Sequence, residues 1–356
     1  MKDTIPVRGG EELHEERLRD YLQQHIATMP AGDLHIEQFP NGKSNLTYFL
    51  RVGEWEAVLR RPPFGPVPPK AHDMQREFTI LQTIHPIFPI APKPYLFSSD
   101  ESLVGSPFFV MERRRGIVLD TEFPDEMIVT PTLCRQLSET MVDVLVQLHG
   151  LDYGHTKLAT MSKPDGFMER QVHGWIGRYE RAKTSDVTGT ERLFQWMINH
   201  VPATSEATII HYDYKLNNAM FSPDMKQMVG LFDWEMTTVG DPLADLGAAM
   251  GYWVLRDDPE LLKSGLGKPP VTVHEGFMTR REFIEAYAVQ SGRDVKHMQF
   301  YMTFAYFKLA VIVQQIYFRF KNGQTADNRF AHLDQMVISL MQYALQITED
   351  STVGGI

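Results

Sequence analysis

Cysteine is nearly absent: Cys134 stands alone among 356 residues, so no intrachain disulfide can form, and no Cys/His spacing resembles a zinc site. A reducing, cytoplasmic setting is the expectation. Long apolar runs are also missing. The most apolar helix-like stretch, Tyr301 to Ile316, is interrupted by Lys308 and is short for a membrane span. The first residues, Met1 to Gln24, are charged throughout and hold no apolar core of signal-peptide length. Nor is there a basic excess. At a formal net charge of −10 the chain lacks the dominant basic face of nucleic-acid binders, so any anionic ligand must be met by a local cluster. These absences predict a soluble protein with neither nucleic acid nor membrane as partner. The oligomeric state stays open, a homodimer included.

What is present is a substantial apolar content, 43%, enough for one large domain or two moderate ones. A polar helix is expected at about residues 11–29. Strand-like runs follow at 34–39, 45–51 and 54–60, broken by Asn41-Gly42 and by Gly53. A proline-studded link, PPFGPVPPK, leads to a helix whose Met74, Phe78, Leu81 and Ile84 share one face, and further strands are expected near 95–97 and 108–112. From about Pro131 the pattern turns helical, with two short β-like segments, 208–211 and 228–232, each ending in polar residues. The reading is an α+β fold: residues 1–112 form a small antiparallel lobe for nucleotide phosphates, and 113–356 form a mainly helical lobe with the catalytic loop, metal ligands and acceptor site.

The polar ends carry the chemistry. His211-Tyr212-Asp213-Tyr214-Lys215-Leu216-Asn217-Asn218 follows one β-like segment, and Phe232-Asp233-Trp234-Glu235 follows the other. Phosphoryl transfer needs a carboxylate to orient and deprotonate the attacking hydroxyl, and oxygen ligands that hold magnesium against phosphates. Asp213 suits the first task, Asn218 and Asp233 the second. An isolated aspartate or Asn-Asn pair more often serves a turn, so the ordered set carries the weight.

The pattern H-x-D-x-x-x-x-N followed by an aspartate resembles the protein-kinase and aminoglycoside-phosphotransferase (APH) superfamily. VLRRPP with the later REF, FFVMER, the helix end LHGLD and GDPLADL after DWE are similar to APH-type phosphotransferases, most of all to the kinase-like domain fused to some acyl-CoA dehydrogenases. The resemblance covers roughly residues 30 to 320. It implies a two-lobed protein-kinase-like fold and an ATP- and Mg2+-dependent small-molecule kinase. Carried over by position, Asp213 is the base, Lys215 a cation near the transferred phosphoryl and His211 a scaffold residue. Asn218 and Asp233 become magnesium ligands, and Asp245 in GDPLADL braces the catalytic loop, with Asp241 a candidate helix cap ahead of Pro242.

The small lobe departs from the kinase pattern. Arg60 stands where kinases place a lysine on the phosphates, with Glu77 as its ion-pair partner, while Arg61 alternates to the opposite face as a solvated charge. The glycine-rich loop shrinks to Asn41-Gly42-Lys43-Ser44-Asn45, whose Lys43 and Ser44 are the phosphate-cradle candidates. Adenine is expected at Met111, Glu112 and Arg114, where Arg113 to Arg115 otherwise read as a solvated basic turn. For the acceptor, Lys308, Tyr317, Trp175 and Tyr179 are the candidates, with Arg178 beside them. The local basic character favours a neutral or anionic hydroxyl acceptor, and the acyl-CoA dehydrogenase resemblance implies a hydroxyacyl-CoA or hydroxy acid. An aminoglycoside or choline-type kinase is the alternative, as is a nucleotide-binding pseudokinase without turnover, suggested by Arg60 and the thin glycine loop.

Overall fold

The computed structural model describes residues 3–40, 45–64, 72–203, 206–264, 267–325 and 327–355. Lys43 and Ser44 lie outside the described residues, as does most of the proline-studded link. The chain divides into two compact units, Met1–Gly116 with Val229–Glu235, and Ile117–Met228 with Met236–Ile356.

The first unit is built on a five-stranded antiparallel sheet. His35–Gln38, Leu46–Val52 and Trp55–Arg61 form the expected meander; Phe108–Glu112 pairs with Trp55–Arg61, and Pro94–Ser98 lies outside it. Side chains alternate across the sheet. Tyr48, Leu50, Ala57, Leu59, Phe108 and Val110 bury one face with Leu18 and Leu22 of the helix Glu15–His25. That helix is shorter than the sequence suggests, since Glu11 accepts from Gln38 Nε2 at 2.5 Å and from there holds the sheet edge instead.

Arg61 is not the solvated charge expected of it. It shares the core face with Leu59, is 1% exposed, and donates to the carbonyls of Pro62 (3.0 Å) and Val104 while its guanidinium lies 3.7 Å from the Phe64 ring centroid. Its stem extends the apolar core and backbone oxygens satisfy its head, which makes burial of the cation tolerable. On the other face, Arg60 meets the helix Met74–Ile84, which starts at Asp73, whose side chain accepts from Arg76 N at 2.9 Å.

Val229–Glu235 packs with this unit rather than with residues 113–356, where the sequence pattern alone would put it. Leu231 N donates to Ile90 O at 3.1 Å and Trp234 packs edge-on against Phe88, so local bonds and apolar burial draw the segment in.

The second unit is mainly helical. Its long helices are Pro131–His149, Phe167–Ala182, Pro242–Tyr252, Arg280–Ser291, Met298–Lys321 and Leu333–Glu349. Thr130 caps the first with Pro131 behind it, and Thr279 with Glu282 closes a reciprocal capping box on the fourth. Met298–Lys321 is largely apolar and buried along most of its length, with Arg319 and Lys321 in its last turn. Pro242–Tyr252 lies tight against it: a Cβ on Gly247 would come within 2.8 Å of Tyr301 Cβ, so glycine sets that approach. Two short antiparallel pairs, Thr208–Ile210 with Thr238–Gly240 and Ile117–Val118 with Ala219–Phe221, frame the loop 211–218. Among the described residues no helix is long and apolar enough to cross a membrane.

Candidate active site

In the second unit the strand Thr208–Ile210 delivers His211, and Asp245 fixes the loop that begins there. Its Oδ2 accepts from His211 N at 2.6 Å and its Oδ1 from Tyr212 N at 2.8 Å. His149 Nε2 sits 3.1 Å from Oδ2, and its Nδ1 is 2.7 Å from the Tyr287 hydroxyl. Burial alone would push the Asp245 carboxyl up, but the bonds from His149 and the loop amide outweigh it and hold the group below its ordinary value. A carboxylate sealed from water and held ionised is a rigid anchor for the loop it binds.

The anchored backbone is strained: Tyr212 takes φ +65°, left-handed for a bulky residue. Its ring is buried, and burial raises the phenol. The turn presents Asp213 at the loop's crest. Lys215 Nζ lies 2.9 Å from Asp213 Oδ2, and Asn218 Nδ2 donates to the Asp213 carbonyl and to Oδ2, both at 2.9 Å. Asn218 thereby commits its nitrogen to Asp213 and keeps its amide oxygen as the atom to offer a cation. Lys215 also lies 4.7 Å from the Tyr252 ring centroid. His211 is fully buried, its Nδ1 3.3 Å from Asp213 N, a place inside the loop rather than on its surface.

Lys308 reaches the same loop from the helix Met298–Lys321. Its Nζ donates to Tyr212 O at 3.3 Å and lies 3.5 Å from the Tyr212 ring centroid and 5.6 Å from that of Trp175. Burial lowers this ammonium to about 8, against the opposing pull of Asp213 and Asp245. Arg178 stacks on Trp175 at 4.3 Å. Of the other acceptor candidates, Tyr179 is 1% exposed and packs edge-on against Phe194, and Tyr317 is buried with Lys321 over its ring. Both belong to the core. Asp241 does cap the helix Pro242–Tyr252, accepting from Leu243 N at 2.9 Å, and takes the Tyr301 hydroxyl at 2.6 Å.

The first unit holds a separate cluster. Arg60 Nη1 lies 3.0 Å from Glu77 Oε1 and Nη2 2.8 Å from Asp233 Oδ1. With its oxygen turned toward the guanidinium, the Asn45 amide accepts from Nη2 at 2.8 Å and Nε at 3.0 Å and gives its nitrogen to His72 Nδ1 at 2.8 Å. Asp233 sits at φ +67°, left-handed like Tyr212. Burial raises the Glu77 carboxyl to about 7, with Arg60 opposing it and Asp233 and Glu235 adding to it. Arg60, buried among these carboxylates, is raised and stays cationic. Arg76 adds a second guanidinium to this cluster, its Nη1 donating to the Glu235 carbonyl at 2.5 Å.

Met111 is buried in the sheet. The Glu112 side chain accepts from Lys93 N at 3.0 Å and pairs with Arg114, whose guanidinium also donates to Pro89 O at 2.6 Å. Arg113 lies 4.9 Å from the ring centroids of Phe39 and Phe49 and pairs with Asp3; Arg115 pairs with Glu56. The basic triplet is thus structural tethering, which leaves backbone groups as what this segment can offer a base.

Sequence reasoning missed His149, Asn45 and Tyr252. LHGLD marked the helix end where His149 sits, but only the fold brings it to Asp245, 96 residues on. Among the described residues no three His, Cys, Asp or Glu side chains form a metal cage. Cavities of about 480 and 440 Å3 in the second unit, the first lined by Tyr153 and Met168 and the second by Asp241 and Arg293, do not have Asp213 in their walls.

A buried carboxylate bracing a strained loop, an aspartate flanked by lysine and asparagine, and a guanidinium held by a helix glutamate define a phosphotransferase of protein-kinase-like fold. The chain belongs to the phosphotransferase enzyme family (APH), whose profile matches residues 35–267. It is 31% identical over 347 residues to mouse acyl-CoA dehydrogenase family member 10, covering 97% of this chain and 32% of that protein. The chain thus spans about a third of that relative's length. Among solved structures it superposes on a Ralstonia eutropha protein described as a "putative aminoglycoside phosphotransferase", with TM-score 0.80, 25% identity, and 95% and 99% of the two chains covered. A spectinomycin phosphotransferase in complex with ADP and spectinomycin shares the fold at TM-score 0.57 and 12% identity, covering 94% and 99%.

Proposed function

We propose that this chain transfers the γ-phosphoryl group of ATP to a hydroxyl of a small anionic metabolite, a hydroxyacyl-CoA or related hydroxy acid. The observation that carries the reading is Asp213, held on a strained loop by Asp245 and flanked by Lys215 and Asn218. Asp213 orients the acceptor hydroxyl and takes its proton as the oxygen forms a bond to phosphorus and the bond to ADP breaks. Lys215 offsets charge on the phosphoryl oxygens. Arg60, oriented by Glu77, contacts nucleotide phosphates. Asn218 and Asp233 are the residues that would hold magnesium, whose positive charge, when bound, offsets that of the phosphates. The ADP in the spectinomycin phosphotransferase supports a nucleotide substrate.

The acceptor class rests on local charge. The charged groups acting on Lys308 include the carboxylates Asp213 and Asp245 and the cations Arg178 and Lys215. Of these, Arg178 is exposed and Lys215 half-buried, two cations that suit a carboxylate- or phosphate-bearing acceptor better than an aminoglycoside polycation. The name of the mouse relative adds an acyl-CoA context. The test is acceptor-dependent ADP formation by the parent and by Asp213→Asn: the variant should lose turnover by about two to four orders of magnitude with ATP affinity retained. Undiminished turnover sinks the assignment.

A further inference from the structure

We propose that Lys308 is a positioning residue for phosphoryl transfer: together with Asp245 it clamps both ends of Tyr212, holding the left-handed turn that aims Asp213. The proposal deepens the reading of this loop as the hydroxyl-activating element and rests on it.

The geometry is two-sided. Asp245 Oδ1 takes the Tyr212 N–H at 2.8 Å, and Lys308 Nζ donates to the Tyr212 carbonyl at 3.3 Å. That carbonyl belongs to the peptide linking Tyr212 to Asp213, so its orientation sets the direction in which the Asp213 side chain leaves the backbone. A bulky residue at φ +65° relaxes toward negative φ unless its surroundings over-determine it. Two opposite charges gripping the amide on one side and the carbonyl on the other supply that constraint. The Tyr212 ring is part of the grip, with the ammonium 3.5 Å from its centroid and Phe167 packed against it edge-on.

The position is costly, and the cost is informative. Lys308 is 5% exposed, has no carboxylate within ion-pair distance among the described residues, and sits in a helix whose neighbours are almost all apolar. A lysine kept there for packing alone would be outperformed by methionine, which has similar length and no charge to desolvate. Retaining the ammonium makes sense if the donated bond to Tyr212 O matters for activity rather than for stability. This also separates Lys308 from Asp245: one anchor stabilises the fold, the other opposes it.

The experiment compares Lys308→Met with the parent by three readings: kcat and KM for ATP with the best acceptor found, thermal midpoint at pH 7, and hydrogen exchange of the 211–218 segment by mass spectrometry. The expected result is a kcat lower by at least tenfold, KM for ATP within twofold, a midpoint equal to or above the parent's, and faster exchange confined to 211–218. Unchanged exchange there overturns the clamp whether or not an acceptor is in hand. So does a kcat within twofold of the parent. A midpoint lowered by several degrees with exchange raised along the helix Met298–Lys321 also overturns it, in favour of plain packing. If the parent shows no phosphoryl transfer while exchange changes as expected, the functional reading of the loop fails and the clamp stands.

Discussion

Arg60 Nη2 lies 2.8 Å from Asp233 Oδ1, a residue 173 positions further along the chain, while Nη1 of the same guanidinium lies 3.0 Å from Glu77 Oε1. One planar cation thus ties a strand, a helix and the returning segment Val229–Glu235 within the first unit, and its geometry depends on both acids. Arg60→Ala and Glu77→Ala should therefore be strongly non-additive in kcat/KM, because the second loss removes only the orientation of a group the first has deleted. Arg60→Lys should recover part of the activity, since an ammonium cannot reproduce a fork. Additive losses in the double-mutant cycle would show that Glu77 does not act through Arg60.

Asp233 is the acid that the Arg60 fork leaves closest to solvent, 27% exposed at the side chain against 2% for Glu77. Asp233→Ala should remove the magnesium dependence of nucleotide binding. Calorimetry with ATP, with and without magnesium, reads this directly, and an unchanged gain from magnesium would exclude Asp233 as a ligand.

Asp245 satisfies two loop amides and the His149 ring from a site closed to water. Asp245→Ala strands these donors, a loss of roughly 3–5 kcal/mol by analogy with broken buried pairs, together with turnover. Urea unfolding measures the first. Wild-type stability in that variant would mean the loop amides find other partners.

Lys308 should leave a signature in the pH dependence of stability. Its ammonium is lowered from 10.5 to about 8 in the folded chain by burial, with Asp213 and Asp245 opposing and Arg178 and Lys215 reinforcing the fall. Below pH 8 both states carry the charge, and the folded state bears the full penalty of burying it. Between 8 and 10.5 the unfolded chain holds the proton that the folded chain has released, so the contribution of this group to stability rises with pH. The span corresponds to about 3–4 kcal/mol at most, at roughly 1.4 kcal/mol per pH unit. Lys308→Met should be stabilising at pH 7, with the advantage shrinking by pH 10. A constant difference across that range would contradict the assignment.

The strands of the first unit were legible because turn residues and alternating apolar positions mark them locally, and the order of Asp213, Asn218 and Asp233 was legible because the spacing is a chain property. Arg61 was misread for a physical reason: strand alternation assigns a face but not what lies over it, and Val104, 43 residues away, supplies the carbonyl that satisfies the buried cation. His149 and Asn45 escaped for the same reason. Their partners, Asp245 and Arg60, are non-local, and nothing in LHGLD or in SNLTY indicates which side chain will turn inward. Lys308 was visible as an interruption in an apolar stretch and read as an acceptor candidate, but its bond to the Tyr212 carbonyl, 96 residues away, is non-local.

The central claim is phosphoryl transfer from ATP to an anionic hydroxyl acceptor at Asp213. It is tested most directly by incubating the protein with magnesium and ATP labelled with 18O in the γ-phosphoryl group, separately with hydroxyacyl-CoA and hydroxy-acid, amino-alcohol and aminoglycoside acceptors, and following the label by mass spectrometry. The account predicts an 18O-labelled phosphoryl group esterified to the hydroxyl oxygen of a hydroxyacyl-CoA or hydroxy acid, abolished in Asp213→Asn. Label on aminoglycosides or amino alcohols in preference, or ATP bound with no labelled product from any acceptor, would contradict it.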